Sequence, residues 1–597
     1  MPVVAISVNR INSLLGQSYD IKKLVTTMQQ LGCDVEDTVR ISLYTCTFCN
    51  APLEKLEKED PPKRCDFCGN ESETPFPHFS TDNAIRIDLL ADRPDLFDPG
   101  GLARALKGYL GLAEGLSEYP VKGASVEVEV NPSLLQPESY RPFIVCAVVN
   151  MPVLDHNGLR EIMKLQENLH WGIGRDRKLA SIGVYDMAAI TPPIRYRSVD
   201  PVGFSFTPLG MPGKSMSPRQ ILEEHPKGVA YAHLLSNLKA YPLLIDSKDQ
   251  VLSMPPIINS EETKVSIGSQ KLFIDVTGLT RDAVTKSLDT LVCSLAELGG
   301  EVEAVKIKHP EAEQTTPDLN PRAIIIQYKE AKKWLGLDFT EEECMGYLRK
   351  MRLSVTHKGD DAYEVHYPAF RTDVRHEVDI FEDLAIGYGY ANIPTRLVPS
   401  MTVGKARGEE LLSHTVREIM IGLGFTEIMS LNLMSEERHF QKFRLAPDDS
   451  GVVVANPKTI EQAVIRGHMM TGIMETFHKN RRKATPQKIF ELGNVIRFNP
   501  KKETCTEENR HAAFAIIGPE TGYAEGRAVL DSILREIGRC GTYHPAHHPS
   551  FCEGRCAHVT GENDLWAILG ELHPEVLNNF GLAYPVTLCE LRLMGVI

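Results

Sequence analysis

The sequence predicts a multidomain α+β chain: small helical, winged-helix-like modules, a mixed α/β domain, and a C-terminal antiparallel sheet with helices. Three observations lead there. The chain has 597 residues, too many for one hydrophobic core, so about three to five domains are expected. Segments of strict alternation, such as SVEVEV at 125–130, stand between stretches of helical period. A strand–helix–helix pattern near the N-terminus also returns 320 residues later.

Residues 3–8 (VVAISV) read as a short strand, followed by a helix ending near Gly16 and another from about Asp20 to Leu31. In the second occurrence Leu15-Gly16 aligns with Leu335-Gly336, Tyr19 with Phe339, and the cap candidate Asp20 with Thr340. Leu24, Met28 and Leu31 fall on Cys344, Leu348 and Met351, and Thr340 with Glu343 forms a capping-box signature. Either one small module is duplicated or two amphipathic helices coincide by chance.

The first module, 1–80, carries a zinc-ribbon-like insertion at 44–70. Cys46, Cys49, Cys65 and Cys68 read C-x2-C-x15-C-x2-C. Two such knuckles can place four thiolates tetrahedrally around zinc, leaving no open position for chemistry. The intervening NAPLEKLEKEDPPKR is charged and carries prolines, as expected of a loop whose fold comes from the metal. A structural Zn2+ is expected; free or redox-active thiols are the alternative. The spacing of a second group, Cys540, His544, His547, His548, Cys552 and Cys556, superficially suggests another metal, with packing as the alternative.

Residues 81–115 read as a connector leading into the helix GLARALKGYLG, and 116–305 as the mixed domain. Within it, LFIDVTG is a buried strand ending in a polar turn, and 281–298 a helix. KHPEAEQTTPDLNPR has the composition of a linker. The module at 306–400 holds two helices and a hairpin, LSVTHKG and AYEVHYP about a Gly359–Asp361 turn. A last domain, 405–597, opens with a helix carrying Leu412, Val416, Ile419 and Leu423 on one face.

Composition narrows the function classes. Hydrophobic residues at 42% and charged residues at 24% are ordinary for a soluble globular protein. A net charge of −14 argues against wholesale coating of nucleic acid, though local basic patches or an RNA held by a partner remain open. No stretch approaches the roughly 20 apolar residues that span a bilayer. MPVVAISVNR lacks an export signature, so a cytoplasmic location and no membrane partner are expected. Thirteen cysteines, an odd number, do not suggest a disulfide framework.

The most informative stretch is RTDVRHEVDIFEDLAIGYGYANIP, 371–394. Val374, Val378, Phe381, Ala385 and Tyr388 line one helical face. Asp379, Glu382 and Asp383, at i, i+3 and i+4, project together from another, and Asp373 can turn toward them. Carboxylates gathered without a compensating cation repel, and magnesium would remove that repulsion. Spacing alone favours a plainer account, a solvated acidic face with Asp373 as N-cap and Arg375 paired to Asp379.

The stretch resembles the magnesium-binding segment of phenylalanine–tRNA ligase beta subunits: Arg371-x-Asp373, Asp379, paired acids Glu382 and Asp383, then Gly389-Tyr390-Ala391-Asn392-Ile393-Pro394. The last acid is Asp rather than that family's common Glu. The resemblance covers nearly the whole chain. It includes Arg93, Asp95, Gly101 and Arg104 in the connector, and IMIGLGFTEIMSLNLMS, ANPKTIEQAVIRGHMMTGIME, KIFELGNVI and LWAILGELHPEVLNNFGL in the last domain. It implies a B5-type magnesium domain at 306–400 and a class II synthetase-like, non-catalytic module at 405–597. It also implies a B3/B4-type editing domain at 116–305, matched by MPPIINSEETKVSIG and FIDVTGLTRDAV. The layout is similar to the archaeal and eukaryotic form; the cysteine insertion is additional to the family pattern.

Adenylating class II domains carry an arginine in Gly-x-Glu-Arg, aimed at ATP phosphates. Here Gly570-Glu571 is followed by Leu572. Arg466 and the run His478–Lys483 are cationic, yet nothing in the sequence orients them as an ATP site. The resemblance therefore implies that ATP is used by the complex, in an alpha subunit, within an alpha2 beta2 tetramer acting on tRNA(Phe). A phenylalanine pocket cannot strongly reject tyrosine, so a second, hydrolytic site for tyrosyl-tRNA makes physical sense. Its candidates are Asn259, Glu261, Asp275 and Thr277, each of which can equally serve as a turn or cap residue. A stand-alone deacylase and a non-enzymatic RNA-binding scaffold are the alternatives.

Overall fold

The computed structural model describes residues 3–88, 92–135, 140–398, 400, 402–447, 450–562 and 565–593. Two compact units result, residues 1–396 and 397–597.

The first unit opens with β1 (Val3–Ser7), whose last residue caps α1 (Val8–Leu15) by accepting the Arg10 N–H. Asp20 does the same for α2 (Ile21–Gln30), taking the Lys23 N–H at 2.7 Å and seating Leu24 and Met28 in the core. β2 (Asp34–Thr45), β3 (Pro52–Leu56) and β4 (His78–Asp88) complete an antiparallel sheet ordered β1-β4-β2-β3. Two expectations change here. β4 crosses the boundary drawn at 80, because Ala84, Ile85 and Ile87 pair with both β1 and β2. The cysteine-flanked segment is more than a loop, since residues 52–56 pair with β2.

Residues 81–115 are likewise no mere connector. α3 (Pro99–Tyr109) is buried along most of its length, with Leu102, Ala103 and Leu106 in the main core. Asp98 caps it, accepting from Gly100 N–H and from the Ser294 hydroxyl. The apolar face of GLARALK needs this cover, which a surface linker would not supply.

The mixed domain runs through β5 (Val121–Val130), β6 (Phe143–Asn150), α4 (His156–Trp171), β7 (Ala180–Asp186) and β8 (Ile194–Val199). It continues with α5 (Pro218–Glu224), α6 (Pro226–Tyr231), β9 (Tyr241–Ile245), β10 (Val251–Met254), β11 (Ile258–Asn259) and β12 (Lys271–Gly278). α7 (Arg281–Glu297), β13 (Glu301–Lys308) and β14 (Glu313–Thr316) complete it. The ten strands form one sheet, β11-β10-β9-β8-β5-β13-β6-β12-β7, with β14 on β13. Alternation sorts β6: Val145, Ala147 and Val149 share a core with α4 and α7, while Ile144, Cys146 and Val148 join Tyr185 and Phe273. β13 and β14 lie beyond the expected end at 305, and part of the expected linker is ladder: Thr316 Oγ1 donates to the Cys146 carbonyl at 2.7 Å.

Next come β15 (Arg322–Gln327), α8 (Tyr328–Leu335), α9 (Glu341–Lys350), β16 (Ser354–Gly359) and β17 (Ala362–Tyr367), with sheet order β15-β17-β16. That order repeats β1-β4-β2, and both helices coincide with their counterparts at an offset of 320. Gly16 and Gly336 end the first helices at φ 71° and 64°, and Thr340 caps α9 as Asp20 caps α2. The duplication is structural. Where the second copy makes a tight hairpin at 359–361, the first inserts the cysteine segment between β2 and β4. α10 (Glu377–Tyr388) follows.

The second unit is a seven-stranded sheet, antiparallel except at Thr426–Glu427, which pairs parallel to Gln487–Phe498. Helices Gly408–Gly422 and Tyr523–Glu536 cover one face with Leu412, Val416, Leu530 and Ile533; Met470–Asn480 covers the other with Ile473, Met474 and Phe477. Among the described residues no helix is long and apolar enough to cross a membrane.

Candidate functional site

The four knuckle cysteines come together from two turns of the same build. Asn50 N–H bonds the Cys46 carbonyl and Cys46 N–H the Ala51 carbonyl; Gly69 with Cys65, and Cys65 with Asn70, repeat both bonds. Asn50 and Gly69 each take positive φ, 62° and 80°, where the chain reverses. The four sulfurs lie within 4.8 Å of one another, all buried. Cys46 and Cys68 are 3.9 Å apart, Cys49 and Cys65 3.7 Å. A tetrahedron with metal–sulfur bonds of about 2.3 Å has edges near 3.8 Å, whereas a disulfide closes to about 2.05 Å. The donor set fits zinc. Among the described residues no other group of His, Cys, Asp or Glu gathers as tightly; Cys540 is exposed, Cys552 half-buried and Cys556 buried.

Beside the knuckle lies a cavity of about 90 Å³. β7 is the last strand of its sheet, so one edge lacks a ladder. Side chains supply the missing bonds: Ile182 N–H donates to His170 Nε2 at 2.8 Å, Gln166 Nε2 donates to the Ile182 carbonyl, and Asn259 Nδ2 to Val184 at 3.4 Å. The resulting hollow lies between α4 and segment 253–259, and at its floor Tyr185 Oη donates to Asp275 Oδ1 at 2.5 Å and lies 2.7 Å from Ser253 Oγ. Gly183 makes the dyad possible, since a Cβ there would lie 2.0 Å from Tyr185 Oη and 2.3 Å from Asp275 Oδ1. Burial pushes the Asp275 carboxyl up to about 7, with Tyr185 and Arg141 offsetting part of the rise. Burial also lowers His170, and Arg177 beside it lowers it further, against the Glu167 carboxylate, which raises it.

Of the four hydrolytic candidates, Asp275 and Asn259 line this cavity. Glu261 and Thr277 do not. Glu261 accepts the Gly210 N–H at 2.8 Å and pairs with Lys264, and Thr277 is walled in by the buried Arg141, which bonds its carbonyl and Oγ1. Tyr185, Ser253 and His170 were missed. SIGVYD carries no local motif, and only the pairing of Asp275 with Gly183 brings Tyr185 to the carboxyl.

The acidic stretch differs from expectation. Its helix starts later: Asp373 is not the cap, and Asp379 instead accepts the N–H groups of Arg375 and His376 at 2.7 Å each. Val378 is exposed, and the buried face runs through Ile380, Phe381 and Leu384. A compensating cation is present. Arg371 grips both oxygens of Asp373, at 2.6 Å for the shortest bond, and reaches Asp383 at 2.9 Å; Arg371 and Asp383 are nearly inaccessible. Against burial, Arg371 holds Asp373 down to about 2, whereas burial wins at Asp383 and raises it despite Arg371. Burial followed by repulsion from Asp383, Asp92 and Asp373 raises Glu382, which stays exposed. All four acids line one groove of about 710 Å³. They are too spread for a closed cation cage and suit a hydrated ion that keeps several waters.

The tRNA synthetase B5 domain model matches residues 324–390, and the phenylalanyl tRNA synthetase beta chain CLM domain model matches 393–593. The phenylalanine–tRNA ligase beta subunit of Methanosarcina barkeri is 39% identical over 549 residues, 91% of this chain and 98% of that one. The chain belongs to the phenylalanine–tRNA ligase beta subunit family. The beta subunit of Archaeoglobus fulgidus is 36% identical over 515 residues, 86% of this chain and 91% of its own. An N-terminal fragment of the Pyrococcus horikoshii phenylalanyl-tRNA synthetase beta-subunit superposes with a TM-score of 0.55 at 33% identity, covering 65% of this chain and 99% of the fragment.

The CLM region holds its cationic and strand-end residues as follows. Leu572, where an arginine would be required, is buried at the end of its strand, and Glu571 before it is held by Tyr523 N–H and Arg555. Arg466 is consumed internally: it pairs with Glu491 at 2.7 Å and donates to Ser430 Oγ and the Asn494 carbonyl, all under cover. In the run 478–483, Arg481 folds back onto the His478 carbonyl. Arg466 is thus committed within the fold, whereas Arg481 and Arg482 lie exposed.

Proposed function

We propose that this chain is the beta subunit of a phenylalanine–tRNA ligase of alpha2 beta2 form, in which an alpha partner adenylates phenylalanine with ATP. The pocket at Asp275 hydrolyses mischarged tyrosyl-tRNA(Phe). Zinc is held structurally by Cys46, Cys49, Cys65 and Cys68. Asp373, Asp379, Glu382 and Asp383 would hold a magnesium that keeps most of its waters, in a structural or interfacial role. The single observation that carries the catalytic division is the buried ion pair of Arg466 with Glu491 beside a leucine at 572. Mixing the chain with an alpha partner, tRNA(Phe), ATP and phenylalanine is expected to give charging only when both are present. Phenylalanyl-adenylate from the isolated chain would overturn this reading.

What supports editing is a buried carboxyl, only partly offset by Tyr185 and Arg141, kept where it costs stability. Asp275 titrates near 7 in the fold and near 3.8 when unfolded. Between those values the folded state binds more protons, so stability falls as pH rises through the window, by about 1.4 kcal/mol per pH unit and about 4 kcal/mol in all. Asp275→Asn removes that loss. The variant is expected to match the wild type near pH 4 and exceed it in thermal stability at pH 8, while hydrolysing tyrosyl-tRNA at least about 100-fold more slowly. Wild-type discrimination against tyrosine should strengthen as pH passes 7, because a carboxylate accepts a phenolic hydrogen bond better than a neutral acid does. Hydrolysis unaffected by the substitution would remove Asp275 from the site.

A further inference from the structure

We propose that the four-cysteine knuckle is a wall of the Asp275 pocket, so that its metal sets how tightly the pocket grips an aromatic aminoacyl group. The inference rests on the zinc and editing readings above and adds the coupling between them, together with a specificity residue, Phe67.

Cys49, Ala51 and Phe67 line the pocket directly, opposite the α4 and β7 residues. The knuckle's own small core includes Met163 of α4 and Leu209, both of which also line the cavity. A chain of hydrogen bonds ties the second knuckle turn to the pocket's polar end. Asn70 Nδ2 donates to the Gly210 carbonyl at 2.6 Å, Glu261 Oε2 receives the Gly210 N–H, and Leu209 N–H bonds the Asn259 carbonyl at 3.0 Å. Gly210 abuts the metal turn closely enough that a Cβ there would lie 2.7 Å from the Cys68 Cβ. On the other side Glu54 of β3 pairs with Lys164 and, at 3.8 Å, with Arg160, both on α4. Glu261, displaced from the catalytic role expected of it, is thereby a positioning residue for the 209–210 turn.

The segment between β2 and β4 buries few apolar side chains of its own, chiefly Ala51, Leu53 and Phe76, so four uncoordinated thiols would leave it without enough core to fold. Loss of the metal would then remove Phe67 and Ala51 from the pocket, uncover Met163 and Leu209, and admit water to Asp275. Water weakens every polar contact in such a hollow. The ring of Phe67, half-exposed at the cavity, is positioned to pack on an aromatic side chain whose hydroxyl reaches the Asp275–Tyr185 dyad.

The test uses the complex with its alpha subunit, zinc-loaded or chelator-stripped, with L-tyrosinamide as probe and the Asp275→Asn complex as background for any other tyrosine site. Zinc content, calorimetric affinity and hydrogen exchange are read together. Stripping zinc is expected to weaken the Asp275-dependent affinity by about tenfold or more. Exchange should rise in 159–170 and 253–259 and stay unmoved in 405–597. Phe67→Ala, which spares every ligand, is expected to keep one zinc per chain and still lose about tenfold in affinity. If stripping and Phe67→Ala both leave affinity and exchange unchanged while Asp275→Asn abolishes binding, the wall inference alone fails. If Asp275→Asn binds tyrosinamide as well as the wild type, the editing reading fails and the ligand named here goes with it.

Discussion

Replacing Cys65 with alanine is expected to reduce bound zinc from one ion per chain to none and to open the segment between β2 and β4 to trypsin. Binding of a structural zinc is worth about 10–16 kcal/mol in small zinc domains, and there it is folding free energy. The knuckle fits that regime. Its cysteines are all buried, yet the apolar residues packed with them are few. Lys58, Lys63 and Arg64 lie exposed on the intervening segment, so a protease has sites ready once the local fold is lost. Metal analysis paired with timed tryptic digestion reads both effects, and an expected increase in cleavage of at least about tenfold separates unfolding from simple loss of the ion. Serine at the same position should behave alike, because a neutral hydroxyl is a poor zinc ligand. A variant that retained one tightly bound zinc and wild-type resistance would return the four sulfurs to ordinary thiols.

Local signals in the sequence were read correctly for local reasons. The duplicated module was visible because helix caps and terminating glycines are set by one or two residues, and Asp20, Gly16, Thr340 and Gly336 perform those tasks in the fold. The gathering of Cys46, Cys49, Cys65 and Cys68 was visible because their spacing is written along the chain. What depended on distant pairing was not visible. Asp275 could be singled out as a costly carboxyl inside a strand, but its partner is fixed by β12 lying against β7. Thr277 shares a strand face with Asp275, so alternation alone could not tell that Arg141 occupies the space in front of it. The helix expected in the 81–115 connector is present, but its burial was not legible, and the proline-bearing, polar composition of 308–322 resembles surface chain. In the fold those residues complete a buried helix and a sheet ladder.

The acidic stretch shows the same divide more sharply. Its spacing on a helix was legible, yet the premise of uncompensated repulsion was not, because Arg371 precedes the helix and returns to Asp383, 12 residues on. That arginine should matter more than any of the acids it serves. Arg371→Met would leave Asp383 and Asp373 without their paired cation, and breaking a buried pair in this way costs about 3–5 kcal/mol. Arg93, already committed to Asp95 at 2.9 Å, is in no position to replace it. Differential scanning calorimetry should show the transition of residues 1–396 move down while that of 397–597 keeps its place, if the two units melt separately. Magnesium supplies a second readout. An ion bound to the folded groove stabilises by mass action, so millimolar magnesium should raise the first transition in the wild type and chelation should lower it. In Arg371→Met the two acids it paired lose their counter-charge, and the gain from magnesium should be larger than in the wild type. Equal melting of the variant and wild type would show that the Arg371 network contributes nothing net. A transition insensitive to magnesium in both proteins would leave Arg371 as the sole cation of the cluster and remove magnesium from this groove.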